Sequence, residues 1–160
     1  MQLFVLDYLP QNAAMMLCDK HLRKMCLENA QILSCLLAER EVLPWYMPKV
    51  YNPRHPVVLN LNTPGKINWC IDYNDFLHQE YFFRFGKDHA YRKLAGIYRA
   101  GLSVPLSDGK PETLDFARNF KDFVPVSQDI VQAYREYYCY KKKIMKSFVY
   151  TRRPEPEWLK

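Results

Sequence analysis

A mainly α-helical, compact single-domain bundle, with a long proline-rich loop and an extended C-terminal tail, is predicted by three features of this sequence. From Asn12 to Arg40 there is no glycine or proline, and Leu22, Met25, Cys26, Ile32, Leu33 and Leu36 recur at three- and four-residue steps. A second stretch, rich in aromatic residues, opens at Thr63-Pro64 and stops at Gly86. Hydrophobic residues make up 49% of the 160, enough for one core at the usual size of one domain.

Taken in order, Leu3-Phe4-Val5-Leu6 is short and apolar and reads as a buried extended segment within residues 2–8. The helix expected over Asn12–Arg40 is the longest. Residues 44–64 carry Pro44, Pro48, Pro53, Pro56 and Pro64 and read as a loop pinned by proline. The next helix has Thr63 as N-cap and Pro64 at its first position and ends at about Phe85. A third helix is expected over Asp88–Ala100, ending at Gly101, then a turn at Ser107-Asp108-Gly109-Lys110-Pro111 and a short helix near Glu112–Phe120. That turn lacks the glycine spacing of a phosphate-binding loop. Val126 or Ser127 opens a last helix to about Met145, after which Pro154 and Pro156 keep the tail extended.

Composition narrows the function classes. With 25% charged and 15% aromatic residues the chain is far from the signature of disorder. Its apolar runs, such as Ile32–Ala38, fall well short of the ~20 residues that cross a bilayer, so no membrane partner is expected. The start, Met1 to Asp7, has no basic region of a signal peptide, which points to the cytoplasm. Five cysteines, an odd number with no Cys-x-x-Cys pair and no zinc-type spacing, read as reduced and mostly buried. No cofactor or metal is expected, and His78 and His89 read as ordinary residues on or beside helices.

Lys+Arg exceed Asp+Glu by 23 to 17, a net charge of +6 that attracts polyanions. Lys141, Lys142, Lys143, Lys146, Arg152 and Arg153 crowd the C-terminal end among Tyr137, Tyr138, Tyr140, Phe148 and Tyr150. Basic residues interleaved with aromatics suit a phosphate backbone with bases beside it. The competing reading is a solvated helix end with lysines near its C-terminal dipole.

At about 100° per residue, His21 and Glu28, seven apart, project within about 20° of each other at the margin of the apolar stripe. Lys24 and Gln31 flank them on the polar side. An acid and an imidazole at the edge of a groove are placed for general acid–base work; equally, Glu28 could pair with a basic side chain across a helix contact.

Asp19-Lys20-His21-Leu22, with Glu28 seven residues after the histidine, resembles the first-helix motif of the phage-type pyrimidine-dimer DNA glycosylases, where Asp-Gln-His-Leu precedes a catalytic glutamate at the same spacing. Tyr51-Asn52-Pro53-Arg54-His55-Pro56 is similar to the Tyr-Arg-Asn-His-Pro loop of bacterial relatives, Met1-Gln2-Leu3-Phe4 to their Met-Arg-Leu-Trp start, and Arg84-Phe85-Gly86 to their Arg-Gly helix end. These motifs cover the first part of the chain, to Gly86, in serial order. The resemblance implies a helical bundle with the N-terminus threaded between helices, and a chain-terminal amine that attacks C1′ of a damaged nucleotide to form a Schiff base. An α-amine suits that task because it ordinarily keeps a neutral fraction near neutral pH.

Carried over by residue, the resemblance implies Glu28 as the acid–base group, His21 as its partner and the Met1 amine as nucleophile, since bulky Gln2 disfavours methionine removal. Lys20 and Lys24 are less apt as Schiff-base amines because both project to the polar face. Leu27 and Gln31 stand where the family has arginines. The expected partner is double-stranded DNA, contacted by Lys24, Gln31, Arg54, His55, Lys142, Lys143, Arg152 and Arg153. The function so implied is a DNA glycosylase, with or without abasic-site lyase activity. The alternatives are a non-catalytic nucleic-acid or nucleotide-binding module on the same scaffold, and a protein-interaction factor.

Overall fold

In the computed structural model, which describes residues 1–40, 43–50, 52–105 and 113–160, the stretch that reads as one long helix forms two, α1 (Pro10–Met15) and α2 (Asp19–Ala38). No helix-breaking residue separates them; tertiary partners do. The last carbonyls of a helix have no partner within it, and here the buried Arg84 guanidinium donates to the carbonyls of Met15 (2.8 Å) and Leu17 (2.7 Å). The Cys18 amide donates to the Tyr138 hydroxyl at 2.8 Å and the Asp19 amide to the Val149 carbonyl at 2.8 Å. These bonds replace the intrahelical ladder over one turn, so α2 starts as a separate helix at Asp19.

Within the proline-rich loop Pro56 opens one short helix, α3 (Pro56–Asn60), capped by the His55 ring, which accepts from the Val57 amide at 3.2 Å. The long α4 (Pro64–Phe85) has proline in its first turn and ends at Gly86, whose φ of 67° closes the helix in the left-handed region. The third expected helix is shorter: a 3₁₀ turn (Arg92–Leu94) leads into α5 (Ala95–Leu102), which runs past Gly101. Residues 113–120 are not helical. Phe116 and Phe120 are drawn one by one into the core, Phe116 against Trp69 and Phe120 against Tyr134, whose hydroxyl donates to the Ala117 carbonyl at 2.6 Å. Asp129, not Val126 or Ser127, caps the last helix, α6 (Ile130–Ile144), accepting from the Gln132 amide at 2.8 Å. The tail, expected to be extended, turns at Thr151–Arg152, where Arg152 takes a φ of 57°, and again in a 3₁₀ turn at Glu157–Leu159. Tyr51, Glu112 and the Ser107-Asp108-Gly109-Lys110-Pro111 turn lie outside the described residues.

Helix α4 is the axis of the bundle, with α1, α2 and α5 packed on it and α2 also touching α3 and α5. Leu3–Leu6 are buried and run extended between α2, α4 and α6. Phe4 packs on His21 and Tyr138, its carbonyl accepts from Tyr73, and the Leu6 carbonyl accepts from Arg135 at 2.9 Å. Four cysteines are buried, Cys139 is partly so, and all five are free thiols. No described helix is long and apolar enough to cross a membrane.

Candidate functional site

The three residues expected to act in catalysis meet in one place, with one expected DNA contact, Lys24, beside them. Met1, His21 and Glu28 line a cavity of about 200 Å³ together with Gln2, Phe4 and Lys24, closed on the other side by Lys121, Tyr137 and Lys141. The arrangement follows from the chain path. The buried N-terminal segment runs across α2, so the Gln2 amide donates to Glu28 Oε2 at 3.1 Å, and Asn119 holds its first residue by donating to the Met1 carbonyl at 3.1 Å. The other Glu28 oxygen is ion-paired with the Lys24 ammonium at 3.4 Å, one helical turn earlier. Glu28 is therefore both paired and turned to the cavity, its side chain 15% exposed.

His21 is held more tightly. Its Nδ1 lies 2.9 Å from the Tyr138 hydroxyl and 3.4 Å from Cys18 Sγ, and its ring sits among Phe4, Tyr138 and Phe148. Burial, reinforced by Lys141, Lys24 and Lys20, pulls its pKa down to about 3. At neutral pH it is an uncharged imidazole in a fixed orientation, which can relay or accept a hydrogen bond but adds no positive charge.

Lys121 was not singled out in the sequence and Lys141 only as one of the C-terminal cations, because each is brought to α2 only by the fold. Lys141, on the last turn of α6, has its pKa lowered by burial and by Lys121, Lys24 and Lys20. Lysine amines activated for nucleophilic attack are commonly placed in this way, desolvated and beside other cations. Lys24 also lines a neighbouring groove with Asp19, Lys20, Arg23, Ser147 and Val149, a volume of about 550 Å³. A basic groove thus opens beside the cavity.

The remaining expected DNA contacts divide. His55 caps α3, partly buried, and feels both the terminal ammonium, which lowers its pKa after burial has done so, and Glu28, which raises it. Arg54 and Lys143 are exposed and Gln31 half-buried on α2. Three C-terminal cations are engaged within the chain. Lys142 pairs with Glu155 and donates to the Leu159 carbonyl at 3.1 Å; Arg152 donates to the Phe83 carbonyl at 2.9 Å; Arg153 makes a forked contact with Glu80 at 2.9 and 2.8 Å and covers the Phe83 ring. They fasten the tail to α4 and α6.

Compared with protein families, curated proteins and solved structures, the chain matches none. What the site can do must be read from its own chemistry: a carboxylate, a neutral imidazole, a chain-terminal residue and three lysines around a small cavity.

Proposed function

We propose that this protein is a DNA glycosylase with abasic-site lyase activity, acting on damaged or modified duplex DNA at the cavity formed by Met1, His21 and Glu28. The observation that carries the reading is that the leading residue and the Glu28 carboxylate share one cavity rimmed by lysines. At about 200 Å³ it is smaller than the ~300–1,000 Å³ pockets that enclose whole ligands, and suits a sugar more than a full nucleotide.

The Met1 amine attacks C1′ and the glycosidic bond breaks with its electron pair leaving on the base; the amine proton passes to Glu28, which returns it to the sugar O4′ as the C1′–O4′ bond opens and the nitrogen lone pair forms the C1′=N bond. The iminium that results is positive, and the Glu28 carboxylate is the nearby group of opposite charge. Removal of a C2′ proton then expels the 3′ phosphate by β-elimination. His21, uncharged and fixed by Tyr138, positions the wall of the cavity behind Glu28. Lys20, Arg23 and Lys24, with Lys121, Lys141 and exposed Arg54, supply the field that holds phosphates.

Borohydride trapping on a duplex with an abasic site tests this. Wild type should form a covalent adduct, the N-terminally blocked chain should not, and Glu28→Gln should lose turnover. If wild type and Glu28→Gln behave alike on every damaged duplex, the catalytic reading fails. A second reading, favoured by the lowered pKa of Lys141, gives the attack to that lysine. Then the adduct maps to α6, survives N-terminal blocking and is lost in Lys141→Arg. Salt-dependent duplex binding with no adduct would leave a non-catalytic nucleic-acid-binding module.

A further inference from the structure

On the far side of α2 from the cavity's lysines, three elements bring metal-ligating side chains together. Cys26 of α2, His78 of α4 and His89 of the segment after Gly86 have donor atoms all within 4.8 Å of one another. Tetrahedral zinc, with bonds of about 2.3 Å to sulfur and about 2.0–2.1 Å to nitrogen, needs its donors about 3.3–3.8 Å apart. A side-chain adjustment of about 1 Å closes the difference.

A second observation points the same way. His78 is 1% exposed and neither ring nitrogen has a hydrogen-bond partner among the described residues. Buried polar atoms are rarely left so, because each has given up its water. Asn74, one turn earlier on the same face of α4, has both amide atoms buried and unpartnered. The Cys26 thiol has only a long contact with the Leu77 carbonyl, at 3.7 Å. His89, half-buried, is held between the rings of Tyr81 and Tyr91. His89 Nδ1 accepts from the Tyr91 amide at 3.4 Å, which leaves its Nε2 for an ion beside the two unpartnered nitrogens of His78.

We infer that Cys26, His78 and His89 form a binding site for a divalent transition metal, zinc by the match of one thiolate and two imidazoles. The ligands fit that ion by softness and number: three protein donors leave one position for water or for the Asn74 amide oxygen. Burial holds His78 neutral, with its pKa pulled down to about 4, and pushes Cys26 up to about 12. The imidazole lone pairs are therefore already available. The thiol gives up its proton to solvent as the metal–sulfur bond forms. The ion would tie α2, α4 and the 86–91 segment together. No step of the proposed DNA chemistry passes through it, so each proposal can fail alone.

The full chain, purified in reductant, is loaded with Zn²⁺, dialysed and analysed for metal; Co²⁺ is substituted to report sulfur ligation by its thiolate charge-transfer absorption. Wild type should retain one Zn²⁺ per chain and show the band. His89→Ala, at the half-buried ligand and least disruptive to the core, should weaken Zn²⁺ binding by more than about tenfold. Cys26→Ala should abolish the Co²⁺ band; if that variant does not fold, His89→Ala decides. Wild type holding no more Zn²⁺ than His89→Ala, or a Co²⁺ band that survives in folded Cys26→Ala, overturns the site.

Discussion

Replacing Arg84 by methionine should destabilise the protein by about 3–5 kcal/mol, the range for removing one partner of a buried ion pair. The side chain is fully buried and its guanidinium makes four hydrogen bonds, to Glu80 (2.7 Å), Asp19 (3.0 Å) and the Met15 and Leu17 carbonyls. The two acids keep other partners: Glu80 retains the Arg153 fork, and Asp19 retains the Thr151 hydroxyl (2.6 Å) and amide (3.0 Å). That holds the electrostatic loss toward the lower end. The two carbonyls lose the partner that ends α1, and a buried acceptor left unpaired costs about 1–3 kcal/mol. Arg84→Lys keeps the charge, but a compact ammonium cannot span four acceptors that a planar fork reaches. It should recover only part of the loss. Arg153, 28% exposed on its side chain, should matter less, with Arg153→Ala costing about 1 kcal/mol. Urea unfolding of the four chains, compared at constant m-value, measures all of this. A loss below about 1 kcal/mol in Arg84→Met, or an Arg84→Lys chain as stable as wild type, would refute the claim that this guanidinium sets the α1–α2 break.

Acid should weaken the fold already between pH 7 and pH 5. His21 and His78 have folded pKa values near 3 and 4, below the usual 6.5, so their full contribution is present above pH 6.5 and is lost as pH falls toward those values. Each should remove on the order of 2 kcal/mol between pH 7 and pH 5, seen by urea unfolding with a chelator present; stability level over that interval would count against both buried neutral imidazoles. For DNA, Lys24→Gln and Lys141→Gln should each make the log–log salt slope of duplex binding shallower by about 1, whereas Arg153→Ala should leave the slope alone because its cation is held by Glu80. A slope set by Arg153 and indifferent to Lys24 and Lys141 would move the DNA surface to the tail.

The helical class, the extent of α4 and the buried start of the chain were legible in the sequence, because periodicity, a proline at a helix start and a glycine at a helix end act over a few residues. The proximity of His21 to Glu28 was legible too, since a helix fixes the angle between residues seven apart. The break in the first helix was not, because Arg84, Tyr138 and Val149 impose it from outside. Nor was the irregular path of residues 113–120, where Trp69 and Tyr134 recruit Phe116 and Phe120 against local helix preference. The crowd of C-terminal cations could be read from the sequence either as a phosphate-binding surface or as a solvated helix end. Pairing with Glu155 and Glu80, and contact with the Phe83 carbonyl, engages Lys142, Arg153 and Arg152 within the chain.

By itself the sequence determined the helical class, the extent of α4 and which face of α2 carries an acid and an imidazole. Tertiary structure alone decided that the Gln2 amide meets that acid with Met1 in the same cavity, that Lys121 and Lys141 line its other side, and that Cys26, His78 and His89 converge from three elements. The reason is physical: local rules fix angles along one helix, whereas meetings between distant segments depend on how whole surfaces bury against each other.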